Sequence, residues 1–122
     1  MAVSIITLEA PTGARQFQDT NSQNVAVAVK ASSGTIYTII IDNTANGVAS
    51  FVKLWDLASG SVTVGGTAPD WIVKIPAGVK RTLAIPEGIA FANALSVATV
   101  TAGGTAGTTN PTSAVAVQIV FA

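Results

Sequence analysis

Apolar and small or polar residues take turns along most of this chain. In 25–30, VAVAVK, Val25, Val27 and Val29 take one side while Ala26, Ala28 and Lys30 take the other. Residues 115–121, VAVQIVF, repeat the device with Val115, Val117, Ile119 and Phe121. A period of two built from β-branched residues marks half-buried strand. The same reading predicts strands at 3–8 (VSIITL), 35–42 (TIYTIIID), 50–56 (SFVKLWD), 71–75 (WIVKI), 80–85 (KRTLAI) and 94–100 (ALSVATV). No stretch keeps apolar residues three and four apart between caps, so no helix is expected. The core is expected to hold Val25, Val27, Val29, Ile39, Ile41, Leu54, Val73, Leu83, Ile85, Leu95, Val97, Val117 and Ile119.

Turn chemistry falls between the strands: Asp42-Asn43-Thr44-Ala45-Asn46-Gly47, Ser59-Gly60, Gly65-Gly66 and Pro76-Ala77-Gly78. Ile75-Pro76-Ala77-Gly78 is echoed by Ile85-Pro86-Glu87-Gly88. Proline cannot donate to a ladder, so both read as corners where strands end. No linker is long or helical enough for a parallel crossover. The expected fold is therefore all-β, an antiparallel β-sandwich, jelly-roll-like, with an extended N-terminal arm. It divides into an N-terminal strand and polar arm over 1–24 and a β-sandwich domain over 25–122.

Two segments break the rhythm. Residues 9–24, EAPTGARQFQDTNSQN, are polar with Phe17 as the only large apolar side chain. They read as an arm too polar for a core strand. Residues 101–113, TAGGTAGTTNPTS, form an uncharged Gly/Thr loop longer than a usual hairpin connection. Partner contacts are expected at Arg15, Phe17, Gln18 and Asp19 in the arm, with Phe17 as the anchor, and at Thr105 and Asn110 in the loop.

Composition changes the picture in one respect. Only 10% of the 122 residues are charged while 49% are hydrophobic, against roughly 25% charged in an ordinary soluble domain. Such a surface suits an assembly that covers it. Six basic and six acidic residues cancel, so neither nucleic acid nor an anionic membrane surface is an expected partner. No apolar run reaches the ~18 residues of a spanning segment. MAVSIITLEA, without a basic region and with Glu9, is not expected to be a signal peptide. Small Ala26, Ala28, Ala114 and Ala116, on the faces opposite the valines, suggest a packing surface and self-association.

Candidate chemistry is sparse. With no cysteine and no histidine, the usual general base, the thiol nucleophile and the commonest metal ligands are missing. DNTANG (42–47) resembles the front of a calcium loop, but Lys53 stands where the bidentate glutamate would be. It reads as a hairpin turn. GGTAG (103–107) lacks the Lys-Ser/Thr and the helix of a phosphate cradle. Phe51, Lys53 and Trp55 share a strand face and, with Trp71, Tyr37 and Phe91, offer either a sugar-stacking platform or core packing. The carboxylates Glu9, Asp19, Asp42, Asp56, Asp70 and Glu87 are scattered near turns, with nothing to suggest a facing pair. An enzyme is not expected, and no metal or cofactor.

From residue 37 onward the text resembles a family. YTIIIDNTAN, FVKLWD and VGGTAPDWIVKIPAGVKRTLAIPEGIAFANALSVATVTAGGTAG are similar to small virion proteins of tailed bacteriophages, cyanophage-like ones in particular. There an IDNT turn precedes a VKLYD-like strand, followed by P-A-G and P-x-G-I-A-F corners and an L-S-V-A strand. The likeness spans 37–121, leaves the arm unassigned, and rests on turns. It implies a structural virion protein, foremost a capsid decoration (cement) protein on the capsid surface, made in the host cytoplasm. Its partner would be the major capsid protein, and its own state a homo-oligomer, a trimer before a dimer. A tail or head–neck component and a carbohydrate- or receptor-binding β-sandwich module remain as alternatives.

Overall fold

A computed structural model describes residues 3–7 and 13–122. Among them are nine strands: β1 (Val3–Thr7), β2 (Arg15–Asp19), β3 (Val27–Lys30), β4 (Gly34–Asp42), β5 (Ser50–Trp55), β6 (Trp71–Ile75), β7 (Lys80–Phe91), β8 (Leu95–Val100) and β9 (Ala116–Phe121). A 3₁₀ turn at Ser59–Ser61 accompanies them. The strands form a five-stranded sheet, β1-β2-β9-β4-β7, and a four-stranded sheet, β3-β8-β5-β6. Every pairing is antiparallel.

The order follows one rule. β2 pairs with β9, β3 with β8, β4 with β7 and β5 with β6, so the chain from β2 onward is one long hairpin. Wrapping that hairpin adds the pairs β4·β9 and β5·β8 and splits it into two sheets. That is the jelly roll, with β1 added outside β2. The inner faces meet through Phe17, Ile36, Ile39, Ile41, Val117, Ile119 and Phe121 from the larger sheet and Val29, Val52, Leu54, Leu95 and Val97 from the smaller. Alternation places them there, since every second side chain of a strand points the same way.

Several expectations need correction. The N-terminal arm is no arm over 15–19: it is β2, lying between β1 and β9. Its inward positions are Phe17 and Asp19, both fully buried, and Gln16 and Gln18 face out. One aromatic at an inward position suffices because the backbone is paired on both sides. The boundary at residue 24 therefore separates no unit of the fold. Val25 is 60% exposed because β3 starts at Val27 and the preceding residues bend away. Leu83 points inward yet is 40% exposed, because it lies on β7, at the sheet's open edge.

The repeated Ile-Pro-x-Gly has two different outcomes. Pro76-Ala77-Gly78 is a corner between β6 and β7, with Gly78 at φ 68°. Pro86-Glu87-Gly88 lies inside β7, which runs on to Phe91. There Ala84 pairs with Thr38 and Ile89 with Ile36, so residues 85–88 bulge out against Tyr37 alone. Gly88 has φ 76°, and a Cβ there would collide with Thr35 Cγ2. Proline is tolerated because a bulge on an edge strand leaves its nitrogen outside the ladder.

Candidate partner-binding face

The two sheets differ in what covers their outer faces. On the smaller sheet, β5 turns Phe51, Lys53 and Trp55 outward, beside Val100, Ala98 and Ser96 of β8. All but Phe51 are buried, because two long loops fold over them. In one loop, Thr67 O accepts the Trp55 Nε1–H at 3.0 Å. In the other, Gly107 O accepts from Lys53 Nζ at 3.2 Å. Gly103 lies against the Phe51 ring, where a Cβ would come within 3.1 Å of Cε2. Lys74 Nζ sits 5.9 Å from the same ring's centre. Burial pushes the Lys53 ammonium below its ordinary pKa.

Loop 101–113 is therefore a cover. Thr105 is half-buried within it. Asn110 is exposed and its Oδ1 accepts the Asn24 N–H at 2.7 Å. Trp55 and Lys53 offer no open stacking platform. Trp71 belongs to the other side of the sheet, where it lines an apolar cleft of about 350 Å³ with Leu54, Leu83 and Ile89.

Among the described residues, the outer face of the five-stranded sheet has no such cover. Register defines its rows. Ser4, Gln18, Gln118, Ile40 and Thr82 lie across the strands in one row; Ile6, Gln16, Val120, Thr38 and Ala84 form the next. Ala116, Asp42 and Lys80 form a third. None of these residues is buried, and Asp42 and Lys80 are the rows' only charges. Two hollows mark the face. One of about 360 Å³ is lined by Ala14, Tyr37, Pro86 and Val120. The other, about 150 Å³, is lined by Ile40, Asp42, Lys80, Ala116 and Gln118. Asp42 accepts from Thr44 Oγ1 at 2.5 Å and Thr44 N at 3.0 Å. Those bonds hold its carboxyl below the usual range, so the hollow keeps a negative charge beside Lys80.

Of the six expected contact residues, Gln18 alone lies on this face. Arg15 is exposed beside it at the end of β2, on the inward-pointing side. Phe17 and Asp19 are sealed in the core and can touch no partner while β2 is in place. Thr105 and Asn110 belong to the loop over the opposite sheet. The alanines do not form one surface either: Ala28 lies on the outside of the smaller sheet and Ala116 on the outside of the larger. Gln118, Ile40, Val120 and Thr38 were missed. Their outward alternation was legible, but which sheet stays uncovered depends on strand order.

The other polar clusters hold the fold together. In DNTANG, Asn43 Nδ2 donates to the carbonyls of Val48, Ile75 and Pro76 at 3.1–3.3 Å. Its Oδ1 accepts from Asn46 and Ser50. Asn46 ties the same turn to Ser113. The oxygens of the calcium-like sequence are thus spent on joining three loops. Asp56 accepts the N–H groups of Ala92, Asn93 and Ala94 at 2.8–3.3 Å, which lowers its pKa. Asp70 Oδ2 accepts the Asp56 N–H at 2.7 Å. Among the described residues, no group of three or more carboxylates, histidines or cysteines is placed to hold a metal ion, and no helix is long and apolar enough to cross a membrane. No family model, curated protein or solved structure matches the chain.

Proposed function

We propose that this chain is a structural virion protein, a capsid decoration (cement) protein that sits on the head surface and docks on the major capsid protein. The docking surface is the outer face of β1-β2-β9-β4-β7. The observation that carries the reading is the asymmetry between the sheets. On one outer face the central strands β5 and β8 lie under the protein's own loops, and the other is left bare, among the described residues, with a single acid and a single base across three rows. Interfaces are depleted of charge at their centres, and a lone subunit would ordinarily polarise such a face. Glutamines supply hydrogen bonds to a partner's backbone, the hollow beside Val120 accepts an apolar knob, and the hollow beside Ile40, with Asp42 and Lys80 in its wall, accepts a polar side chain. The likeness of 37–121 to phage virion proteins supports the same reading. So does the use of Asp42, Asp56 and Asp70 as backbone caps, which leaves a role without chemistry.

Purified particles that contain the protein test this. Side-chain-resolution reconstruction is expected to find it on the head shell with Gln118 and Ile40 turned toward major capsid subunits. Density in the tail or neck would replace the decoration role with a tail or head–neck one. Absence from particles, with glycan binding by the free protein, would overturn the virion reading.

A further inference from the structure

The two sheets have four outer edges: β1 and β7 on the larger, β3 and β6 on the smaller. Sheet edges present unpaired backbone groups, and charges or prolines usually guard them. β3 ends in Lys30, β6 carries Lys74, and β7 carries Lys80, Arg81, Pro86 and Glu87. β1, VSIIT, carries none. It is also bare on both faces: Val3 is 40% exposed, Ile5 46% and Ile6 43%. Val3 and Ile5 pair with Asp19 and Phe17, so they point to the inward side. No described residue of the four-stranded sheet covers them, as their exposure shows.

We infer that β1 is a homodimer interface, pairing antiparallel with β1 of a second copy about a two-fold axis. The occupant follows from charge. A two-fold axis brings each residue of an edge against its own kind or its near neighbours, so a charged edge repels itself. Among these four edges only β1 lacks a charged residue. The backbone donors and acceptors of an antiparallel edge are self-complementary under that symmetry. Pairing would join two five-stranded sheets into one of ten strands and set Val3 and Ile5 of both copies side by side, covering part of their exposed surface. The remaining edges are guarded, so association stops at two copies. The dimer also doubles the bare outer face into one continuous surface, whatever that face binds.

Light scattering of the full chain at micromolar concentration is expected to give twice 12.2 kDa. Ile5→Lys sets two ammonium groups together at the axis and is expected to weaken the dimer ~100-fold, with an unchanged far-ultraviolet dichroism spectrum. Ile72→Lys, on the β6 edge, is expected to leave it intact. The chain has no cysteine, so a single one introduced at 4, 5 or 6 reports pairing directly. At least one of the three is expected to form a disulfide-linked dimer under mild oxidation, since facing residues of antiparallel strands lie within disulfide reach, and Ile72→Cys is not. A monomer, a dimer indifferent to Ile5→Lys, or a dimer that cross-links at none of those positions overturns the assignment.

Discussion

Two aspartates place the protein's acid response at opposite ends of the same scale. Asp56 holds three backbone N–H groups at the start of β8, and its folded pKa is depressed. A depressed carboxyl contributes stability above its unfolded pKa and loses it as pH falls through the folded value. Asp19 is the reverse. It is fully buried, Asn21 N donates to its Oδ1, and its Oδ2 has no hydrogen-bond partner among the described residues. Burial raises its pKa, so the native state favours the neutral acid and loses stability as pH rises through the carboxylate range. Urea midpoints across the acidic range are expected to separate them. Asp56→Asn should lower the midpoint at neutral pH and flatten its acid decline. Asp19→Asn keeps an acceptor for Asn21 without the charge, and should be at least as stable as the parent at neutral pH. Phe17 makes a sharper case, since a peripheral anchor could be truncated at no cost to the fold. Sealed between the sheets, Phe17→Ala is expected to cost ~3–5 kcal/mol in denaturant unfolding.

Strands were legible wherever alternation was dense. All eight runs of alternating residues became strands with ends shifted by a residue or two, apart from β7. The missing strand, β2, shows why density matters: RQFQD has one apolar side chain, and its pairing comes from β1, just upstream, and from β9, at the far end of the chain. Pro86 misled for a related reason, because the bulge that tolerates it needs β4 alongside. Loop 101–113 is the third such case. Nothing in TAGGTAGTTNPTS announces that it caps Phe51 and Lys53. That cap rests on a buried lysine, which gives an element-scale prediction. Lys53 has a depressed pKa, so the native state is penalised below the folded value and gains stability as pH climbs from there toward the unfolded one. Lys53→Met is expected to be no less stable than the parent at neutral pH and to lose that alkaline rise in thermal melts. A clear loss of stability at neutral pH would mean that the bond to Gly107 O outweighs the cost of burying the charge.

At the scale of the molecule, a chain with few charges folds so that its own loops cover the central strands of one outer face and, among the described residues, none of the other. Little of this was legible in the sequence. The shortage of charge raised the expectation of a covered surface, but which face stays bare depends on strand order and register, which no local pattern carries. Gln18 was picked out for its place in a polar segment; Ile40, Gln118 and Val120 lie in strands that read as ordinary core. The most direct test sets the two faces against each other on heads assembled without the protein. Gln118→Arg places a charge at the centre of the bare face, and Thr105→Arg places the same charge on the loop over the opposite sheet. Occupancy at saturation and at limiting protein, measured with both variants folded, is expected to fall about tenfold or more for Gln118→Arg and to stay at the parent level for Thr105→Arg. Full occupancy by Gln118→Arg with loss of binding by Thr105→Arg would contradict the account.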